Sequence, residues 1–141
     1  MRVKRGGHKL NPIFHALFQK SRYLTNCLNE VLKQHNLYSS QWTILYCLHT
    51  HGPMTLTQIW KYLNVEAPSI TRAITRLETL GWVQRIDGED KREKIVTLSP
   101  EAEKRLPAIT ETILAFEEEM VGSLTVEEQQ QFIKLLEKMK G

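Results

Sequence analysis

Five polar side chains, Ser69, Thr71, Arg72, Thr75 and Arg76, fall on one side of the stretch 67–80. Ile70, Ala73, Ile74, Leu77 and Leu80 recur on the other side at intervals of three and four. That period predicts an amphipathic helix whose apolar stripe turns inward. No carboxylate interrupts its polar side in the first turns. Arginine can bond guanine O6 and N7 together, and hydroxyls reach phosphates or bases, so the pattern suits a helix lying in a major groove of DNA. On an isolated helix the same residues would make an ordinary solvated face, so the neighbouring segments decide between the two.

Those segments place this helix second in a helix-turn-helix. Thr55 with Gln58 three residues later forms a capping box, which predicts a short helix over 56–63. Asn64 tolerates the left-handed conformation that ends helices, and Pro68 sits in the first turn of the next one, where its missing N–H costs nothing. Gly81 stops that second helix. Two short runs rich in apolar and β-branched residues, Trp82 to Ile86 and Lys94 to Leu98, then bracket Asp87-Gly88-Glu89-Asp90-Lys91-Arg92. This predicts a β-hairpin with a charged tip. A slender cation at such a tip is drawn into a minor groove by its negative potential. Arg92 is the first candidate, with Lys91 and Lys94 beside it and Asp90 steering the arginine.

The run Asp90-Lys91-Arg92 followed by Ile95-Val96-Thr97-Leu98-Ser99, after a helix ending Arg76-Leu77-Glu78-Thr79-Leu80-Gly81-Trp82-Val83, resembles the multiple antibiotic resistance regulator (MarR) family. The resemblance covers about residues 11 to 140. It implies a homodimeric transcriptional regulator that carries one winged helix per subunit, binds a pseudo-palindromic operator on double-stranded DNA, usually as a repressor, and is often released by a small ligand. The fold class expected is mainly α with a small β-hairpin wing, a winged helix-turn-helix at about 39–99. Dimerisation helices at about 11–35 and 100–140 flank it within one domain, 11–141.

Composition is compatible with this reading. A chain of 141 residues, 41% hydrophobic and 25% charged, is long enough for one domain with a true core and too short for two independent ones. No apolar run approaches the roughly 20 residues that span a bilayer, and the expected location is the cytoplasm, with no membrane partner. The net charge of +3 says little, but its distribution is uneven. Residues 1–60 hold seven Lys/Arg against the single Glu30, and residues 101–141 hold five against nine Glu, so the C-terminal segment should lie away from phosphate. Residues 1–10 form a flexible basic tail in this reading.

The remaining chain supplies helices. Asn11-Pro12 opens a long one carrying Ile13, Leu17, Phe18, Leu24, Leu28, Val31 and Leu32, and Asn36-Leu37 breaks it. Ser39 or Ser40 is the expected cap of the next, which runs through Trp42, Ile44, Leu45 and Leu48 to Gly52-Pro53. Ser99-Pro100-Glu101 caps another long helix on Leu106, Ile109, Ile113, Phe116 and Met120, with a bend expected near Lys104 because Pro107 removes a hydrogen bond. Thr125 and Glu128 box a last helix bearing Phe132, Ile133, Leu136 and Met139. These stripes exceed what one winged domain can cover, and the surplus predicts a symmetric dimer.

No nucleophile elbow, phosphate-binding glycine loop or metal-ligand spacing stands out among the serines, the glycines and the five histidines, so no enzyme, cofactor or metal is expected. Cys27 and Cys47 match no zinc motif and read as small core residues; a thiol-based redox-sensing regulator is the alternative, and a winged-helix protein-interaction module another. Some members of the family sense organic peroxides through a cysteine near the start of the first helix, where this chain has Phe14 and His15. The family's effector pocket implies that Phe18, Tyr38, Trp42 and Tyr46 could line a site for a small aromatic or phenolic effector, with Arg22 as a carboxylate partner.

Overall fold

A computed structural model describes residues 9–90 and 92–141. The elements run α1 (Pro12–Leu32), a 3-10 turn (Lys33–His35), α2 (Ser39–His51), β1 (Met54–Thr55), α3 (Leu56–Leu63), α4 (Ala67–Thr79), β2 (Val83–Asp87), β3 (Lys94–Leu98), α5 (Pro100–Met120) and α6 (Val126–Lys138). They divide into two compact units, one of the residues through Val31 with Glu111–Gly141, the other Leu32–Thr110.

Local chemistry explains most boundaries in the second unit. Asn36 (φ 57°) and Asn64 (φ 56°) take the left-handed conformation that ends a helix, and Gly52 (φ 78°) closes α2. At α3, the Thr55 Oγ1 accepts from the Gln58 N–H at 3.1 Å while the Gln58 side chain accepts from the Thr55 N–H at 2.9 Å. Ser99 Oγ caps α5 by accepting from the Ala102 N–H at 3.1 Å, and it donates to the Gly81 carbonyl at 2.6 Å. α5 continues as helix through Pro107.

Two expected boundaries need correction. The residue capping α2 is Tyr38, not Ser39 or Ser40, because the Gln41 side chain reaches back to accept from the Tyr38 N–H at 3.0 Å and so brings Ser39 into the first turn. α4 ends at Thr79, so Leu80 leaves the apolar stripe as the backbone turns into Gly81 (φ 84°) and is 43% exposed instead of inward-facing.

The core of this unit gathers Ile44 and Leu45 of α2, Ile59 of α3, Ile74 and Leu77 of α4 and Val96 of β3, each at most 1% exposed. The sheet has three antiparallel strands in the order β1-β3-β2. In its register Val83 faces Leu98, Arg85 faces Val96 and Asp87 faces Lys94. The sequence pattern showed only the hairpin; β1, two residues long, pairs Met54 with Val96.

In the other unit α6 is boxed by Thr125 and Glu128 as expected, at 3.1 and 2.9 Å. None of its residues is buried. An open apolar groove of about 540 Å³ lies between Ile13, Ala16 and Leu17 of α1 and Phe132, Leu135 and Leu136 of α6. No helix among the described residues is long and apolar enough to cross a membrane.

Candidate nucleic-acid interface

The apolar stripe of α4 decides which of its side chains face solvent. Ile70, Ile74 and Leu77 are buried, which leaves Thr71, Arg72, Thr75 and Arg76 exposed and Ser69 half-buried. The Arg72 guanidinium approaches Ser69 Oγ at 3.4 Å, one turn back, and forms no ion pair among the described residues. Its charge therefore remains available to an acceptor outside the protein. The threonine hydroxyls are committed differently. Thr71 Oγ1 donates to the Ala67 carbonyl at 3.0 Å and Thr75 Oγ1 to the Thr71 carbonyl at 2.9 Å, so each presents acceptor lone pairs outward. Thr75 also receives a hydrogen bond from the Arg85 guanidinium at 2.7 Å.

The hairpin tip carries the second cluster. Its turn is closed by the Gly88 N–H on the Glu93 carbonyl (3.1 Å) and the Glu93 N–H on the Asp90 carbonyl (2.8 Å). Asp90 Oδ1 accepts from the Arg92 N–H at 3.0 Å and lies 3.8 Å from Arg92 Nε, yet the Arg92 side chain stays 94% exposed. Asp90 thus holds the backbone of the turn at Arg92 and leaves the arginine side chain in solvent. Lys94 differs, because the strand register sets it opposite Asp87 and the two form an ion pair. Lys91 lies outside the described residues, as do residues 1–8 of the basic tail.

The residue that sequence reasoning missed is Arg85. It occupies the same face of β2 as buried Val83, and its nearest partners, Thr75 and Glu78, lie on α4. Its only signal was an arginine at an inward position of an otherwise alternating strand.

The expected effector contacts are divided between the two units. Phe18 and Arg22 belong to the unit of the chain ends, where Phe18 is exposed and Arg22 donates to Gln19 Oε1 at 3.3 Å. Tyr38, Trp42 and Tyr46 belong to the winged unit. There Trp42 is core and its ring lies 5.8 Å from that of exposed Tyr46, with Tyr38 also exposed. Of the two thiols, Cys47 is buried, its Sγ against Met54 Sδ at 3.3 Å, and burial raises its pKa, which disfavours the thiolate that oxidation requires. Cys27 is half-buried and bonds to Tyr23, which raises the pKa of that phenol. Among the described residues no group of His, Cys, Asp and Glu could hold a metal ion.

A helix-turn-helix followed by a β-hairpin wing that pairs back with β1, with cations exposed on the second helix and at the wing tip, defines a winged helix-turn-helix protein. The MarR family pattern matches residues 37–94. The chain is 51% identical over 123 residues to YwoH, an HTH-type transcriptional regulator of Bacillus subtilis (strain 168), covering 87% of this chain and 90% of that one. Among solved structures, a MarR protein from Peptoclostridium difficile superposes with a TM-score of 0.84 at 27% identity, over 96% of this chain and 92% of that one. E. coli MarR complexed with operator DNA, as a cysteine-to-serine mutant, gives 0.85 at 24% identity over 90% and 92%. Reduced AbfR bound to DNA gives 0.75 at 28% identity over 91% and 88%. The chain belongs to the MarR family of transcriptional regulators.

Proposed function

We propose that this regulator binds a pseudo-palindromic operator on double-stranded DNA as a homodimer in the cytoplasm, represses transcription there and carries out no catalysis. The observation that carries the DNA reading is the pairing of a buried apolar back on α4 with exposed Arg72 and Arg76 on its front, next to a wing whose Arg92 is almost wholly exposed. AbfR, with which the chain shares 28% identity, is bound to DNA in its solved structure, which supports the same reading.

In this proposal Arg72 and Arg76, with Ser69, Thr71 and Thr75, face the major groove, and Arg92, aided by Asp90, Lys91 and Lys94, enters the minor groove. The back-bonded hydroxyls favour acceptor roles, as toward the amino groups of adenine N6 or cytosine N4. The test is titration of the protein against the duplex upstream of its own gene and a scrambled duplex, across salt. A preference of about a thousandfold is expected, and equal weak affinity for the two would count against a specific operator there.

Two variants locate the contacts. Arg72→Ala should weaken operator binding by about 1–3 kcal/mol and relax base preference at one position, as measured by binding to single-base operator variants. Unchanged base preference would assign Arg72 to phosphate. Arg92→Ala should weaken binding to many sequences and reduce the salt slope by roughly 0.9 for each phosphate that the side chain neutralises in the parent. Equal slopes for variant and parent would remove Arg92 from the interface.

The dimer is supported by the apolar surface that α1 and α6 leave open in the single chain. Release by a small aromatic or phenolic effector belongs to the same proposal, supported by the exposed rings of Tyr38 and Tyr46 in one unit and Phe18 in the other.

A further inference from the structure

Besides the pairing of β3 with β1, the wing is tied to the rest of its unit at its base and along β2. At its base, Ser99 ties to Gly81 through Oγ (2.6 Å) and to the Trp82 carbonyl through its N–H (3.0 Å). Further out an open cleft of about 480 Å³, lined by Glu78, Gly81, Val83 and Arg85, runs alongside β2. The Arg85 side chain bridges from β2 to α4. Its terminal nitrogen donates to Thr75 Oγ1 at 2.7 Å, and its Nε, removed from solvent and without a hydrogen-bond partner, lies 3.5 Å from Glu78 Oε1. Thr75 and Glu78 stand three residues apart on one face of α4, a spacing that the separate donors of one planar guanidinium can span.

We propose that Arg85 is a positioning residue that locks the wing to the recognition helix, so that Arg92 and the α4 arginines meet DNA as one rigid surface. The inference rests on the DNA-binding reading above. Asp90 at the tip lies five positions beyond Arg85, two of them in β2 and three in the turn, so the lever is at most roughly 15 Å and a tilt of about 10° at Arg85 moves the tip by up to roughly 3 Å. That is the length of a hydrogen bond, enough to take Arg92 out of reach of the DNA.

Two measurements test the lock, one without DNA. In the free protein, Arg85→Ala and Thr75→Val should each speed hydrogen exchange of the β2 and β3 amides by about tenfold while α2 amides keep the parent rates, and Thr75→Ser, which retains the hydroxyl, should match the parent. Unchanged hairpin rates, or rates rising equally in α2, would overturn the lock. On operator duplex, Arg85→Ala should bind about tenfold more weakly with the parent salt slope, and that loss should vanish in an Arg92→Ala background, whereas Thr75, which itself faces the groove, is tested by hydrogen exchange alone. Additive losses, or a lower slope in Arg85→Ala, would show that Arg85 acts independently of the tip. Should the parent bind no duplex specifically, the DNA reading fails, and the exchange rates still decide the lock.

Discussion

In the proposed homodimer, replacing Phe132 and Leu136 together by aspartate should leave monomers and lower operator affinity by about a thousandfold, into the range of sequence-independent binding. In the single chain these side chains are 48% and 45% exposed, and Leu135 and Met139 beside them are 56% and 39% exposed. Isolated apolar residues on a surface are ordinary, but a groove lined continuously by two helices marks an interface. Two carboxylates there would have to be desolvated on association, at a cost of several kcal/mol each. Monomers would engage one half-site at a time and forfeit the second. Since no residue of α6 is fully buried within its own chain, helix content should change little. Sedimentation equilibrium and circular dichroism on the double variant check this, and a retained dimer mass would refute the assignment.

The second large effect is expected at the back of the recognition helix. Ile74 is fully buried among residues of the winged core, and Ile74→Ala removes three carbons from a site enclosed by rigid elements. The expected loss is about 2–5 kcal/mol, a large fraction of the roughly 5–15 kcal/mol that holds a domain of this size folded. Urea unfolding monitored by far-UV circular dichroism measures it. A loss under about 1 kcal/mol would mean that the site closes around the cavity or that α4 is not docked through this face. Arg72→Ala offers the contrast, since an exposed side chain without an ion pair should leave the urea midpoint in place while binding falls.

Local signals were readable wherever their partners lie within a few residues. The boxes Thr55–Gln58 and Thr125–Glu128 close over three residues, and the left-handed Asn36 and Asn64 end their helices by backbone preference alone. The stripe of α4 was legible for Ile70, Ile74 and Leu77 because a helix repeats its burial every three or four positions. It failed at Leu80, where the backbone turns one residue earlier than the period suggests. The cap of α2 was misplaced by one or two residues because serine is the better capping type, while the Gln41 side chain, three residues on from Tyr38, secures the earlier position.

By itself, then, the sequence determined the order of helices and hairpin, the polar front of α4 and the cationic tip of the wing, all of which follow from periodicity and turn chemistry along a contiguous stretch. Tertiary structure alone decided two things. It paired Lys94 with Asp87 through strand register, and it set Arg85 against Thr75 ten residues away. The physical reason is common to both. A hydrogen bond, an ion pair or a buried face between elements depends on where the second element lies, and that position is a result of packing the whole unit, which no local pattern encodes.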